Sequence, residues 1–205
     1  MPGLTLQTDA LVLLKQPPAD TFQTLTVFSA EQGVLLVLQR LPKKNSPGSI
    51  LLDLFDEASL LLESSNQGRT WFVREPRLLV RHAGIGRSYD SLRFASSLAA
   101  LAARNPGPAE SHAPVAALLR TAFAIFADSP RPDLVYFKSL YRFARDEGYP
   151  VKQEWLASLP AAQRTAAAEA LNQPLATQTA ETAAVTRLTH RLEDYLRAHT
   201  EILLD

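Results

Sequence analysis

The sequence has 205 residues, of which 46% are apolar and 20% charged, and its 21 basic side chains balance 21 acidic ones. This length allows one large or two small domains, and the composition excludes a chain that is disordered throughout. Cysteine is absent, which excludes disulfides, thiolate zinc sites and a cysteine nucleophile and is typical of a reducing cytosol. We expect neither a membrane span of roughly 20 apolar residues nor a secretory leader.

The first 80 residues contain strand-like segments separated by turn residues. The predicted strands cover 9–15, 22–29, 34–38, 50–62 and 69–75. Proline, glycine and polar residues interrupt them, most clearly at 17–20, 41–49 and 64–68. Five short strands in so short a region are typical of a small closed or partly open barrel, because closure removes exposed edges.

Alanine marks a change near residue 80, with four alanines in residues 1–80 and 26 in residues 81–205. Because alanine favours helices and disfavours strands, we expect helices after this point. Apolar spacing and punctuation predict helices over 88–104, 115–126, 132–147, 160–171 and 185–199. Strands followed by helices predict an α+β fold with domains at 1–80 and 81–205, and they argue against an alternating nucleotide-binding sheet.

The sequence lacks the usual catalytic motifs. It has no complete dinucleotide fingerprint, no phosphate-binding Gly-Lys-Ser/Thr loop and no Gly-x-Ser-x-Gly elbow. Asp53, Asp56 and Glu57 are candidates for a metal or acid/base cluster, but we favour solvated charges at a bend, since their spacing carries no signal. The four histidines are too scattered for a metal motif. We therefore predict a protein that is not an enzyme and holds no cofactor or metal.

Basic residues concentrate in two places. One is the loop after the third strand, with Arg40, Lys43 and Lys44. The other spans 69–93, where six arginines face only two carboxylates, a local net charge of +4. Trp71, Phe72 and Tyr89 are interleaved with these arginines. Cations neutralise phosphates while aromatic rings stack on unpaired bases, so the pattern suggests nucleic-acid binding. The alternative is a solvated charged face beside two core aromatics.

Several segments, in the same order along the chain, resemble the bacterial recombination-mediator family RecO. The first strand carries Ala10-Leu11-Val12-Leu13, and the second strand and its turn run from Leu25 to Gly33. A basic loop at Arg40-Leu41-Pro42-Lys43-Lys44 leads to Leu52-Asp53-Leu54-Phe55 and Leu60-Leu61-Leu62. In the helical half, Phe137 to Tyr141 and then Glu147-Gly148-Tyr149-Pro150 are similar to a segment of that family's helical half.

The resemblance implies an N-terminal five-stranded OB-fold barrel followed by an all-α helical domain. It implies a mediator, located in the cytoplasm at the nucleoid, that binds single- and double-stranded DNA and anneals complementary strands. Its partners would be RecR and the C-terminal tail of single-stranded DNA-binding protein (SSB). Together with them it would assist the loading of RecA onto DNA. The residues expected to contact DNA are Arg40, Lys43, Lys44, Arg69, Arg74, Arg77 and Arg81. The residues suggested for the SSB tail are Phe126, Lys138, Tyr141 and Arg142; a core stripe with flanking surface charges explains these four equally well.

Three features depart from the family pattern. Gln39-Arg40 stand where the family's basic loop carries Lys-Gly, an alanine-rich helix replaces a four-cysteine zinc site, and the chain is short and less basic. Structural zinc supplies mainly folding energy, so its loss affects structure more than chemistry. The zero net charge favours an alternative function, a protein-interaction adaptor that has kept the barrel and has little DNA affinity.

Overall fold

A computed structural model of the protein describes residues 3–19, 21–42, 50–64 and 67–204. Five strands come first: β1 (Leu4–Lys15), β2 (Phe22–Ser29), β3 (Gly33–Arg40), β4 (Glu57–Ser64) and β5 (Trp71–Val80). Six helices follow: α1 (Tyr89–Arg104), α2 (Ala109–Phe126), α3 (Pro132–Asp146), α4 (Trp155–Ser158), α5 (Ala161–Asn172) and α6 (Thr182–His199). The predicted α+β fold class, with strands before helices, is confirmed.

The strands close into a barrel in the order β1-β2-β3-β5-β4. All neighbours are antiparallel except β3 and β5, which run parallel. This is the arrangement of an OB-like barrel. The parallel seam consists of two residue pairs, Val37 with Trp71 and Leu38 with Phe72. Because successive side chains alternate between the two faces of a strand, Trp71 points into the barrel and Phe72 points outward.

The inside of the barrel is filled by apolar side chains from all five strands. The buried cluster contains Ala10, Val12, Leu25, Val27, Val37, Leu52, Ala58, Leu60, Leu62 and Trp71. Burial of such side chains contributes roughly 25 cal/mol per Å² of apolar surface removed from water. In the described part of the chain, the barrel interior is a packed apolar core.

Three strand boundaries differ from the sequence prediction by five or more residues. The first strand begins at Leu4 rather than residue 9, because β1 pairs with β4 from Leu4 onward. The fourth strand begins at Glu57 rather than residue 50, because a turn at Leu54–Phe55, with Phe55 at φ 67°, interrupts the chain there. Leu52 is nevertheless buried in the barrel core. The fifth strand extends to Val80 because it pairs with β4 as far as Glu57. Pairing with a strand distant in the sequence thus fixes the start of β1 and the end of β5, which local composition did not predict.

The chain divides into two units, Met1–His82 with Pro106–Arg120, and Ala83–Asn105 with Thr121–Asp205. The first two thirds of α2, up to Arg120, therefore belong to the barrel unit. There the His112 ring packs edge-on against Phe28, with centroids 5.9 Å apart. His112 also covers Gly33, where φ is +67° and a Cβ atom would lie 2.6 Å from the imidazole. Both the backbone conformation and this contact require glycine at position 33.

The helical unit has its own aromatic core. Trp155 of α4 is 2% exposed and lies 6.1 Å from Phe137 and 6.0 Å from Tyr141, measured between ring centroids. Within the described part of the chain, no helix has the length and apolar character needed to cross a membrane. The same residues contain no group of three or more histidine, aspartate or glutamate side chains that could hold a metal ion.

Candidate nucleic-acid interface

A groove of about 460 Å³ crosses the outer face of the barrel. Strands β2, β3, β4 and β5 supply its walls, and we call it the barrel groove. It is lined by Phe22, Arg40, Glu63, Phe72, Val73 and Arg74. The groove thus combines two aromatic rings, two guanidinium groups and one carboxylate, a set that can contact both the bases and the phosphates of a nucleic acid.

Strand register explains why these distant residues meet. Phe22 lies directly opposite Arg40, and Glu63 lies directly opposite Phe72. Directly opposed residues project to the same face, and the short parallel seam between β3 and β5 places the two pairs side by side. The rings of Phe22 and Phe72 meet edge to face, with centroids 5.7 Å apart and an interplanar angle of 70°.

The two arginines of the groove differ in their bonding. Arg40 is exposed and, among the residues that the structure describes, forms no ion pair or side-chain hydrogen bond. The Arg74 Nε donates a hydrogen bond to Glu63 Oε2 over 2.5 Å. Both partners of this pair are accessible, with 59% and 42% of their side chains exposed. The groove therefore offers the Arg40 guanidinium, which has no partner in the described part of the chain, and one exposed ion pair that a ligand can rearrange.

The other predicted DNA contacts are dispersed. Arg69 precedes β5 and Arg77 lies on it, and both are exposed. Lys43 and Lys44 lie outside the described residues. Arg81 donates hydrogen bonds to both carboxylate oxygens of Asp56, at 3.0 and 2.7 Å, and a third to the Leu51 carbonyl. The bond to Asp56 raises the pKa of Arg81, so this arginine stabilises the fold around the start of β4.

The interpretation of the acidic trio as solvated charges is wrong for two of its members. The Asp56 carboxylate is buried against Arg81. Glu57 is also buried and accepts two hydrogen bonds from Arg120 of α2, at 2.9 and 2.7 Å. Asp53 alone is exposed, and it pairs with Lys15. The sequence did not show this because each arginine is at least 25 positions away from its carboxylate.

The four residues suggested for an SSB tail are mostly engaged elsewhere. Phe126 is 1% exposed and Tyr141 is buried, so their rings offer little surface to a peptide. The Lys138 ammonium donates hydrogen bonds to the carbonyls of Leu171 and Gln173, which end α5. A cation is favourable at that position because helix C-termini are electronegative. Arg142 is exposed and pairs with Asp146 on the same helix.

The sequence pattern indicated Arg40, Phe72 and Arg74 but not the other three residues of the groove, Phe22, Glu63 and Val73. Trp71, expected beside Phe72 as a stacking residue, points into the core instead. Strand alternation alone separates Trp71 from Phe72, but bringing Phe22 and Glu63 to the same place requires knowing which strands pair.

No protein-family model matches the chain, and no curated protein matches it either.

Proposed function

We propose that the protein binds single-stranded DNA in the barrel groove and acts as a RecO-like recombination mediator. The observation that supports this proposal is the grouping of Phe22 and Phe72 with Arg40 and Arg74 on the outer face of an OB-like barrel. Proteins that bind single strands combine a cationic groove with aromatic rings on which bases stack. OB folds bind oligonucleotides on the face that includes their second and third strands, where Phe22 and Arg40 lie.

The proposed mediator does no covalent chemistry. Annealing requires neutralisation of two polyanions and exposure of their bases, and both follow from phosphate contacts and stacking. Through the resemblance of its sequence to the RecO family, the protein is proposed to contact double-stranded DNA, RecR and the SSB tail, to assist RecA loading, and to work at the nucleoid. Lys43 and Lys44, which follow Arg40 in the chain, are proposed to extend the phosphate-binding surface.

The proposal is tested by fluorescence anisotropy with a labelled oligothymidylate at two salt concentrations. We expect Arg40→Glu to weaken binding about tenfold and to reduce the slope of log affinity against log salt by about 1, since one phosphate contact is lost. Phe72→Leu is expected to weaken binding by a similar factor without changing the slope, because stacking is uncharged.

Arg187→Glu is the matched control. Arg187 is an exposed arginine of α6, so the same charge change occurs outside the barrel unit. If both groove variants bind like the wild type, with the same salt slope, the groove is not the DNA site. An affinity that is millimolar and insensitive to salt in the wild type contradicts DNA binding altogether.

A second candidate function is the protein-interaction adaptor. Two observations about charge favour it. Glu63 neutralises Arg74 in the groove, and the whole chain has zero net charge. An adaptor would show the millimolar, salt-insensitive response described above, so the same titration separates the two functions.

A further inference from the structure

We propose that Glu63 makes the barrel groove selective for guanine among unpaired bases. This inference rests on the proposed binding of single-stranded DNA and adds to it the base that is preferred. In a groove that only binds phosphates, a carboxylate weakens binding, because it repels the negatively charged phosphate. Glu63 nevertheless lines the groove, with 42% of its side chain accessible.

The position of Glu63 fits contact with a base edge. Glu63 lies directly opposite Phe72 on the neighbouring strand, and the Cβ atoms of such pairs are about 5 Å apart. A base that stacks on the half-buried Phe72 ring therefore brings its Watson–Crick edge within reach of the Glu63 carboxylate. Arg40, across the β3–β5 seam from this pair, is placed to hold a phosphate.

The Glu63–Arg74 ion pair leaves the carboxylate able to bind a base. Arg74 Nε donates to Oε2, while a carboxylate offers about four lone-pair sites over its two oxygens. Both oxygens can therefore accept from a ligand while Arg74 stays bound. The arginine also fixes the carboxylate in the groove before the base arrives, which lowers the entropic cost of forming the contact.

Guanine is the base whose edge matches such an acceptor pair. Its N1–H and its exocyclic amino group are adjacent donors, so they can bond one carboxylate through two parallel hydrogen bonds. Adenine and cytosine place a ring-nitrogen acceptor beside the amino group, and thymine flanks its single N–H with two carbonyls. These acceptor atoms would lie opposite the negatively charged carboxylate oxygens and be repelled by them. A good bidentate contact discriminates between bases by about tenfold or more.

The test measures anisotropy of labelled hexanucleotides at one low salt concentration. The oligonucleotides are all-thymine or carry one central guanine, adenine, cytosine or hypoxanthine. We expect the guanine oligonucleotide to bind about tenfold more tightly than the all-thymine one. Hypoxanthine, which lacks the exocyclic amino group, is expected to bind with intermediate affinity.

Glu63→Gln is expected to abolish the guanine preference, because an amide presents one acceptor beside a donor. It is also expected to strengthen binding to the all-thymine oligonucleotide, because a negative charge is removed. Glu75→Gln is the control: Glu75 is an exposed carboxylate of β5 that does not line the groove, and the preference is expected to persist.

The outcomes separate this inference from the proposed function. Equal binding of all five oligonucleotides by the wild type contradicts guanine selectivity and leaves DNA binding intact. A guanine preference that survives in Glu63→Gln shows that another group reads the base. Failure of every oligonucleotide to bind overturns both the DNA-binding function and this inference.

Discussion

Strand β4 carries an arginine-bound carboxylate at each end, and the two ends differ in burial. At its start, Glu57 and the preceding Asp56 are buried and bonded to Arg120 and Arg81. Near its end, Glu63 and its partner Arg74 are both accessible to solvent. A buried carboxylate without its arginine would keep an uncompensated charge, whereas an exposed one is rescued by water. The same pairing therefore stabilises the fold at one end and remains available for binding at the other.

The largest expected effect comes from removing Arg81. In Arg81→Met, the Asp56 carboxylate loses two hydrogen bonds and keeps the one from the Asp53 amide. Leaving a buried charge without its partner costs about 3 kcal/mol of unfolding free energy. Urea denaturation measures this loss. Arg77→Met, at an exposed position of β5, is the control and should change stability by less than about 0.5 kcal/mol. A similar small change in both variants would mean that the two ends of β4 do not differ as described.

A smaller effect on stability is expected from His82, which interacts electrostatically with the buried carboxylates Glu57 and Asp56. Burial lowers the pKa of His82, against the opposing influence of Glu57 and Asp56. Between this lowered pKa and the ordinary value of about 6.5, the unfolded chain binds more protons than the folded one. Stability therefore rises with pH through this window and falls on acidification below about pH 7.

Replacing His82 with glutamine isolates that contribution. Urea midpoints of the wild type and of His82→Gln are compared at several pH values, and the variant is expected to lose less stability on acidification. Carboxylates titrate in both proteins, so only the difference between the two curves reports on His82. Parallel curves would show that the His82 imidazole is protonated equally easily in the folded and unfolded chains.

The smallest expected effect lies at the exposed end. Glu63→Ala and Arg74→Ala should each change the free energy of unfolding by no more than about 0.5 kcal/mol, because exposed pairs are screened by solvent. Thermal or urea unfolding checks this. A loss near that of Arg81→Met would give Glu63 a structural role, and changes in DNA affinity at this position could then no longer be assigned to the groove alone.

Local sequence patterns predicted the order of the elements well. Alanine content located the change from strands to helices, and proline and glycine marked the limits of α3. The start of β4 was misplaced because Ile50 to Leu54 is mostly apolar, yet the turn at Leu54–Phe55 lies outside the sheet. Apolar character thus identified buried residues such as Leu52 but not the conformation that buries them.

The candidate site was predicted only in part, for a related reason. Arg40, Phe72 and Arg74 carry the residue types that nucleic-acid binding requires, so composition alone singled them out. Phe22 and Glu63 acquire their role through strand pairing across three seams of the barrel. Arg81 belongs to the same basic stretch as Arg74, but a buried carboxylate 25 positions earlier in the chain fixes it. Which arginine is available depends on tertiary contacts that the order of residues does not state.

The two tryptophans give each unit a fluorophore of its own. Trp71 is enclosed in the barrel core and Trp155 in the core of the helical unit, with 8% and 2% of each residue exposed. Trp71→Phe leaves emission that reports on the helices alone, and Trp155→Phe leaves emission that reports on the barrel alone. Because a ligand stabilises the part of the protein that it binds, an oligonucleotide held in the groove should raise the melting temperature reported by Trp71. Intrinsic fluorescence of these two unlabelled single-tryptophan variants can thus show which unit holds the ligand.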